Sequence, residues 1–259
     1  MNNNTTTPPR PDWLIAEPED VYHAKRATHV TSHSLAEFRR CPALYRRKQL
    51  GLVPERDTSA YALGRAAHTL ILEGREVYEA WYIVGGPVNE RTGQPYGTAT
   101  KAYAEWASKQ DVPVLSVADA AIVEEMAASV ASHESARLYL TGGWAEGVVR
   151  ARMGNEGGVP CQARIDYVLP SPEGDGVHIV DLKTCRDLDQ FEDDVYEYGY
   201  LYQLAWYIQM AKMAGAKALD PFIVAVEKRE PYRCGVWLPQ AKVIEQAGQA
   251  NRVALSGHI

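Results

Sequence analysis

Asp181 and Lys183 stand one residue apart in the run Val177-His-Ile-Val-Asp-Leu-Lys-Thr184, whose Val and Ile content predicts a β-strand. Strand side chains alternate between faces, so this carboxylate and ammonium emerge together while Val180 and Leu182 point into a core. Upstream, Asp166 interrupts the apolar run Ala163-Arg-Ile-Asp-Tyr-Val-Leu169. A turn over 171–176 would pair the two strands antiparallel and bring Asp166 beside Asp181. Two neighbouring carboxylates repel unless a cation lies between them, and a divalent metal is the usual answer. Asp-x-Lys alone occurs by chance, and an aspartate at a strand end is often a turn former; the paired strands are what give the pattern chemical meaning.

The elements that must position these residues follow from periodicity. Strands over 146–152, 159–169 and 177–184 read as a meander, followed by a long helix over about 188–214, strands at 222–228 and 233–238, and a helix from about 240. Ser32 opens a helix on which Leu35, Phe38 and Leu44 share one side, and Pro42 interrupts or restarts it. From Ser59, apolar residues spaced at three and four predict a helix with His68 in its middle and Gly74 as its stop. A glycine- and proline-rich loop over 85–97 precedes helices at about 98–109 and 117–139. Residues 1–30 lack a period and are expected to form a mobile arm. The remainder, 31–259, is expected to be one domain, mainly helical over 31–140 and sheet-centred over 141–259. The fold class so predicted is α/β or α+β.

Composition bounds the partners. With 46% apolar and 23% charged residues the chain is an ordinary globular one, and its formal charge of −6 excludes a generally basic nucleic-acid coat. The excess is unevenly placed. Residues 25–56 hold Lys25, Arg26, Arg39, Arg40, Arg46, Arg47, Lys48 and Arg56 against Glu37 and Glu55, a local charge of +6. Such a run is commonly a solvated helix face, yet it is the first candidate for a phosphate track. Six acids and no Lys or Arg lie between Asp187 and Glu197, expected to face away from DNA, hold metal, or meet a basic patch on a neighbouring subunit. The longest uncharged stretch, Tyr198 to Ala211, is too short for a bilayer span, and the N-terminus lacks a signal-peptide core, so a cytoplasmic protein is expected. Cys41, Cys161, Cys185 and Cys234 are spread singly, which argues against zinc, disulfides and an iron–sulfur cluster.

Asp166 followed by Asp181-Leu-Lys183 resembles the PD-(D/E)xK nuclease pattern, with Ile165 in place of Pro and Asp in place of the more frequent Glu. Three further segments are similar to the exonuclease branch of that superfamily. Gly64-Arg-Ala-Ala-His68-Thr-Leu-Ile-Leu-Glu73 resembles its G-x-x-x-H-x-x-x-L-E helix. Gln203 and Tyr207, four apart on one helical face, resemble its Q-x-x-x-Y motif, and residues 32–51 resemble its N-terminal segment. Within the branch the chain looks most like the phage-type recombination exonucleases of the exonuclease eight family, over residues 32 to 238.

That resemblance implies a restriction-endonuclease-like core, with a central mixed sheet flanked by helices and a helical N-terminal half. It implies 5′-to-3′ degradation of linear double-stranded DNA from its ends, leaving 3′ single strands for an annealing protein, in a bacterial or phage-infected cell, with a homo-oligomeric ring as a possible assembly. Asp166, Asp181 and the Leu182 carbonyl would hold Mg²⁺, with Mn²⁺ as a substitute, and His68 would complete the shell. Lys183 would orient the attacking water or stabilise the phosphorane. Glu146 matches the acid expected ahead of the Asp strand, although an exposed strand-end glutamate fits as well. Gln203 and Tyr207 would contact the DNA end or shape the metal pocket, or simply satisfy each other. Arg39, Arg40, Arg46, Arg47 and Lys48 would bind DNA, and Glu73 reads as a salt-bridge partner. Two alternatives stay open: a CRISPR-adaptation-like or helicase-associated nuclease of the same superfamily, and a non-catalytic DNA-binding or assembly module.

Overall fold

The structure, a computed structural model, describes residues 8–53, 59–154 and 157–258. A five-stranded mixed sheet is its centre: β3 (Trp144–Met153), β4 (Val159–Pro170), β5 (Val177–Cys185), β6 (Ala218–Glu227) and β7 (Cys234–Trp237), in that spatial order. All neighbours are antiparallel except β5 and β6, which are parallel and joined through α9 (Phe191–Glu197) and α10 (Tyr200–Met213). A second, two-stranded parallel sheet pairs β1 (Ile83–Val84) with β2 (Val114–Leu115), neither of which the sequence pattern predicts.

Helices cover both faces. On one, Leu204, Trp206 and Met210 of α10, Leu35 of α2 (Ser32–Arg40), and Ala254 and Leu255 of α11 (Ala241–His258) pack with Ile165, Ile179 and Ile223. On the other, Ala66 and Ala67 of α4 (Ser59–His68) and Val123 and Met126 of α7 (Val117–Ser132) pack with Tyr167, Leu182 and Val224. Among the described residues no helix is long and apolar enough to cross a membrane.

Three helix boundaries differ from the sequence pattern for local reasons. The expected helix over 188–214 divides because Gly199 takes a left-handed conformation (φ 72°), separating α9 from α10. The expected helix over 117–139 divides at His133, whose Nδ1 caps the amide of Ala136 and so starts α8 (Glu134–Tyr139). Past His68 the α4 ladder widens into a π-helical turn, Thr69–Glu73, ended by Gly74 at φ 92°. As expected, Pro42 restarts the chain as α3 (Pro42–Gln49) after extended Cys41; the cap of α2 is Thr31 rather than Ser32.

The expectation of a mobile arm does not describe residues 8–30. Ile15 exchanges backbone hydrogen bonds with Val148 on β3, and Val30 bridges to Cys161 on β4. Leu14 is buried against Gly147, where a Cβ would meet its side chain at 2.4 Å. Between them α1 (Glu19–Ala24) buries Tyr22. This strap is held by long-range backbone pairing, which leaves no periodic trace. Residues 1–7, and Glu55 and Arg56 of the basic run, lie outside the described residues.

The strands lose pairing along one row. The β3–β4 ladder omits Glu146 and Asp166, which its register sets opposite each other, and the β4–β5 ladder stops at Tyr167 and Val180, just short of Asp166 and Asp181. Glu146 there has φ 51°, a left-handed backbone uncommon outside glycine. Both strands change phase at this row. Ala163 and Ile165 face the α10 side but so does Val168, and Val149 and Met153 face it but so does Trp144.

Candidate active site

The interrupted row collects the acids. Asp166 turns its Oδ2 to accept the Leu182 amide at 2.9 Å, a hydrogen bond that β4 backbone would otherwise receive. Asp181 lies fully buried on the α10 side, and the Lys183 ammonium approaches its Oδ2 at 2.5 Å. That ammonium also sits 4.9 Å from the centre of the Tyr200 ring, a cation–π seat at the start of α10. Apart from this ion pair, neither Asp181 oxygen has a hydrogen-bond partner among the described residues.

His68 enters from the opposite layer. Gly64, one turn earlier on α4, lets that helix approach β5 so closely that a Cβ would lie 3.2 Å from Thr184 Oγ1. The approach sets His68 Nδ1 3.9 Å from Asp166 Oδ2. One ligand atom each from His68, Glu146 and Asp166 lies within 4.8 Å of the others. The His68 side chain keeps 27% exposure, so the cluster opens to solvent on this side.

Charge is badly balanced here. Burial first, then the neighbouring Asp166, pushes the Glu146 carboxyl up to about 8 against the pull of Arg164. Burial lifts Asp181 to about 7, with Lys183 opposing and Asp166 adding. Asp166 is also raised by burial, against Lys183 and the Leu182 amide. Burial, then Lys183, lowers His68 to about 4, so its ring is neutral with a lone pair to offer near pH 7. Carboxylates that resist ionisation when empty, hydrogen-bond-starved oxygens and a neutral imidazole form a donor set suited to a hard divalent cation. His68, Glu146, Asp166, Asp181 and the Leu182 carbonyl are the groups that could hold it.

The other sequence-predicted residues divide. Tyr207 is buried behind the acids, which add to the burial that raises its phenol far above the ordinary range, and its hydroxyl accepts from Gln203 Nε2 at 2.5 Å. Arg40, Arg46 and Arg47 are exposed with no ion pair among the described residues, while Lys48 pairs with Glu37. Arg39 departs from the DNA-track expectation: it donates to Asn251 Oδ1 at 2.5 Å and lies 4.1 Å over the Tyr202 ring, tying α2 to α10 and α11. Of the Tyr198, Tyr200 and Tyr202 trio, Tyr198 is exposed. Of the 187–197 acids, Asp187 and Asp189 find cations within the chain, since Arg229 binds Asp187 and Arg233 binds both, together with Glu227 of β6. Glu73 lies close enough to Arg164 and Glu19 to feel both charges, although burial dominates and raises it.

Sequence reasoning missed Arg164 and the strap residue Glu17. Arg164 donates from Nε to Glu146 Oε2 at 2.6 Å and from Nη1 to the Glu17 carbonyl at 2.9 Å. Its place two residues before Asp166, a charge inside an apolar strand, was the available signal.

No curated protein matches the sequence. Among solved structures, a candidate exonuclease from Eubacterium rectale superposes with a TM-score of 0.65 at 15% identity, covering 95% of this chain and 88% of that one, a likeness of fold. The crystal structure of SSO0001 shares 15% identity, covers 52% of this chain and 60% of its own, and reaches a TM-score of 0.32, which carries no weight. The sequence profile described as "PDDEXK-like domain of unknown function (DUF3799)" matches residues 32–252. The chain belongs to this PDDEXK-like family.

Proposed function

We propose that the protein is a metal-dependent exonuclease that hydrolyses phosphodiester bonds from the ends of linear double-stranded DNA. The observation that carries this reading is the clustering of His68, Glu146 and Asp166, with Asp181 opposite Asp166 on the next strand and paired to Lys183. Membership in a PDDEXK-like family supports nuclease chemistry in general, and such nucleases generally use divalent metals. His68, Glu146, Asp166, Asp181 and the Leu182 carbonyl would hold a divalent ion, Mg²⁺ or Mn²⁺ in its place, which would supply a water of lowered pKa and neutralise charge on the scissile phosphate.

The chain's own groups do the rest. Asp166 and Asp181, fixed on neighbouring strands, set the ligand oxygens without loop motion. Lys183, seated over Tyr200, is placed to orient the attacking water and to stabilise negative charge on the phosphoryl oxygens. Tyr207 and Gln203 close the floor behind the acids. Arg40, Arg46, Arg47 and Lys48 on α2 and α3 are the proposed phosphate track; Arg39 is left out because its guanidinium is committed to packing.

The 5′-to-3′ polarity, the 3′ single-stranded product handed to an annealing protein in the cytoplasm, and a ring assembly rest on the family resemblance. Digestion of end-labelled linear duplex with Mg²⁺, with and without EDTA, tests the reading. Wild type should release mononucleotides and Asp181→Ala should not; equal cutting of closed circular DNA would refute end dependence, and activity in EDTA would refute the metal mechanism.

A further inference from the structure

Glu146 is held by a group outside the usual set of ligands and base. Its backbone is left-handed at φ 51°, and a non-glycine residue keeps such a conformation only where its surroundings over-determine it. The β3–β4 ladder is absent at that position, so backbone pairing is not what fixes it. The fixing contact is Arg164, whose Nε reaches Glu146 Oε2 at 2.6 Å while Nη1 reaches the Glu17 carbonyl at 2.9 Å. Both side chains are largely buried, at 15% and 17% exposure, so the bond is shielded from solvent screening.

Glu17 is itself anchored. Its carboxylate pairs with Arg150 of β3 and, at 2.8 Å, with Lys25. The strap that carries it is fastened at Ile15 to Val148 and at Val30 to Cys161. A guanidinium suits such a span, because its planar fork can serve two acceptors in fixed directions, which an ammonium on a flexible stem does not reproduce. The strap precedes residue 32, where the family match begins.

We infer that Arg164 is a positioning residue for the metal centre, locking the Glu146 carboxylate toward His68 and Asp166 and bracing it against the N-terminal strap. This rests on the metal-dependent reading above and adds a dependence on a segment that the family match leaves out. Removing an outer partner of a metal-binding side chain typically weakens metal affinity by about 10–100-fold. Because Arg164 acts through Glu146, its loss should matter only while Glu146 can bind.

The test is Mn²⁺ binding by the full chain, followed through the electron paramagnetic resonance signal of free Mn²⁺, with no DNA or turnover involved. Arg164→Ala is expected to weaken binding by about 10–100-fold. The pair Arg164→Ala/Glu146→Gln is expected to bind no more weakly than Glu146→Gln alone, a non-additive cycle. Arg164→Lys, which keeps the charge but not the fork, carries the same cycle should the alanine variant fail to fold, as judged by circular dichroism, and is expected to bind at least several-fold more weakly than wild type. Wild-type affinity in the folded variants, or losses that add in the double mutant, would overturn the inference while leaving the metal centre standing. Absence of Mn²⁺ binding by the wild type would overturn the metal-dependent reading as well.

Discussion

Asp181 and Glu227 lie on neighbouring parallel strands with almost no exposed surface, 0% and 1%, and their carboxyls move in opposite directions. Glu227 accepts the amides of Leu188 and Arg233 and the Nε and Nη2 of the Arg233 side chain. Those donors hold it down to about 2 despite its burial. Asp181 has one ammonium and no other hydrogen-bond partner among the described residues, and burial lifts it to about 7. Depth is therefore a poor guide to the character of a buried acid; the supply of donors decides it. A carboxylate with every lone pair satisfied fastens a loop, whereas one left short of partners has affinity to spend on something from outside.

The contrast can be broken most forcefully at Asp181. Asp181→Asn should lower nuclease activity on the order of 10³-fold or more, yet leave the melting temperature of the metal-free protein within about 2 °C of wild type or above it, because an ion disfavoured by burial has been removed. A large loss of stability would mean that Asp181 is a structural acid after all. Glu227→Gln should do the reverse. Losing this charge against a partly exposed arginine is expected to cost on the order of 1–2 kcal/mol, a fall of roughly 2–8 °C in melting temperature by differential scanning calorimetry, with activity kept at low temperature.

Smaller effects sharpen the same contrast through pH. Glu146 at about 8 and Asp181 at about 7 must lose protons for a cation to bind, so Mn²⁺ or Mg²⁺ affinity should rise between pH 6 and 8 by about tenfold per unit for each proton displaced. A flat titration calorimetry profile over that range would contradict it. For Glu227 the folded value lies below the model-compound one. Its stabilisation is therefore complete above about pH 4.5 and lost as pH falls toward 2, on the order of 1–2 kcal/mol after discounting for the partly exposed Arg233. Urea midpoints at pH 6 and pH 3 should differ accordingly in wild type and differ less in Glu227→Gln. Least of all, Gly64→Ala should perturb activity only several-fold, since its Cβ asks Thr184 Oγ1 to yield by a few tenths of an ångström.

How far the sequence could be read follows from the range of the forces involved. Alternation along 177–184 places Asp181 and Lys183 together because a strand's period is local, and the short 171–176 turn makes the Asp166 register nearly inevitable. The basic character of α2 and α3 was equally plain, but not that Arg39 stacks on Tyr202 from a helix far along the chain. The partners of Asp187 and Asp189 were hidden because the arginines that bind them come more than 40 residues later, on the β6–β7 hairpin. The strap hid for the same reason: Ile15 meets Val148 only after the sheet exists. Glu146 could be suspected but not placed, since a left-handed backbone at a glutamate has no signature in residue type.

The change of phase shared by β3 and β4 makes each of them two half-strands written in different reading frames, joined at the acids. Chemistry at the junction can be altered by substitution without disturbing either frame. A one-residue deletion at Asp166 is another matter: Ile165 and Tyr167 would follow each other on the opposite layers they already face, but Glu146 and Asp181 would lose the residue opposite them and one half of β4 would slip by one residue against both neighbouring strands. The irregularity that creates the site thus depends on an extra residue in both strands at once, and an insertion–deletion scan should find this row far less forgiving than the turns at either end.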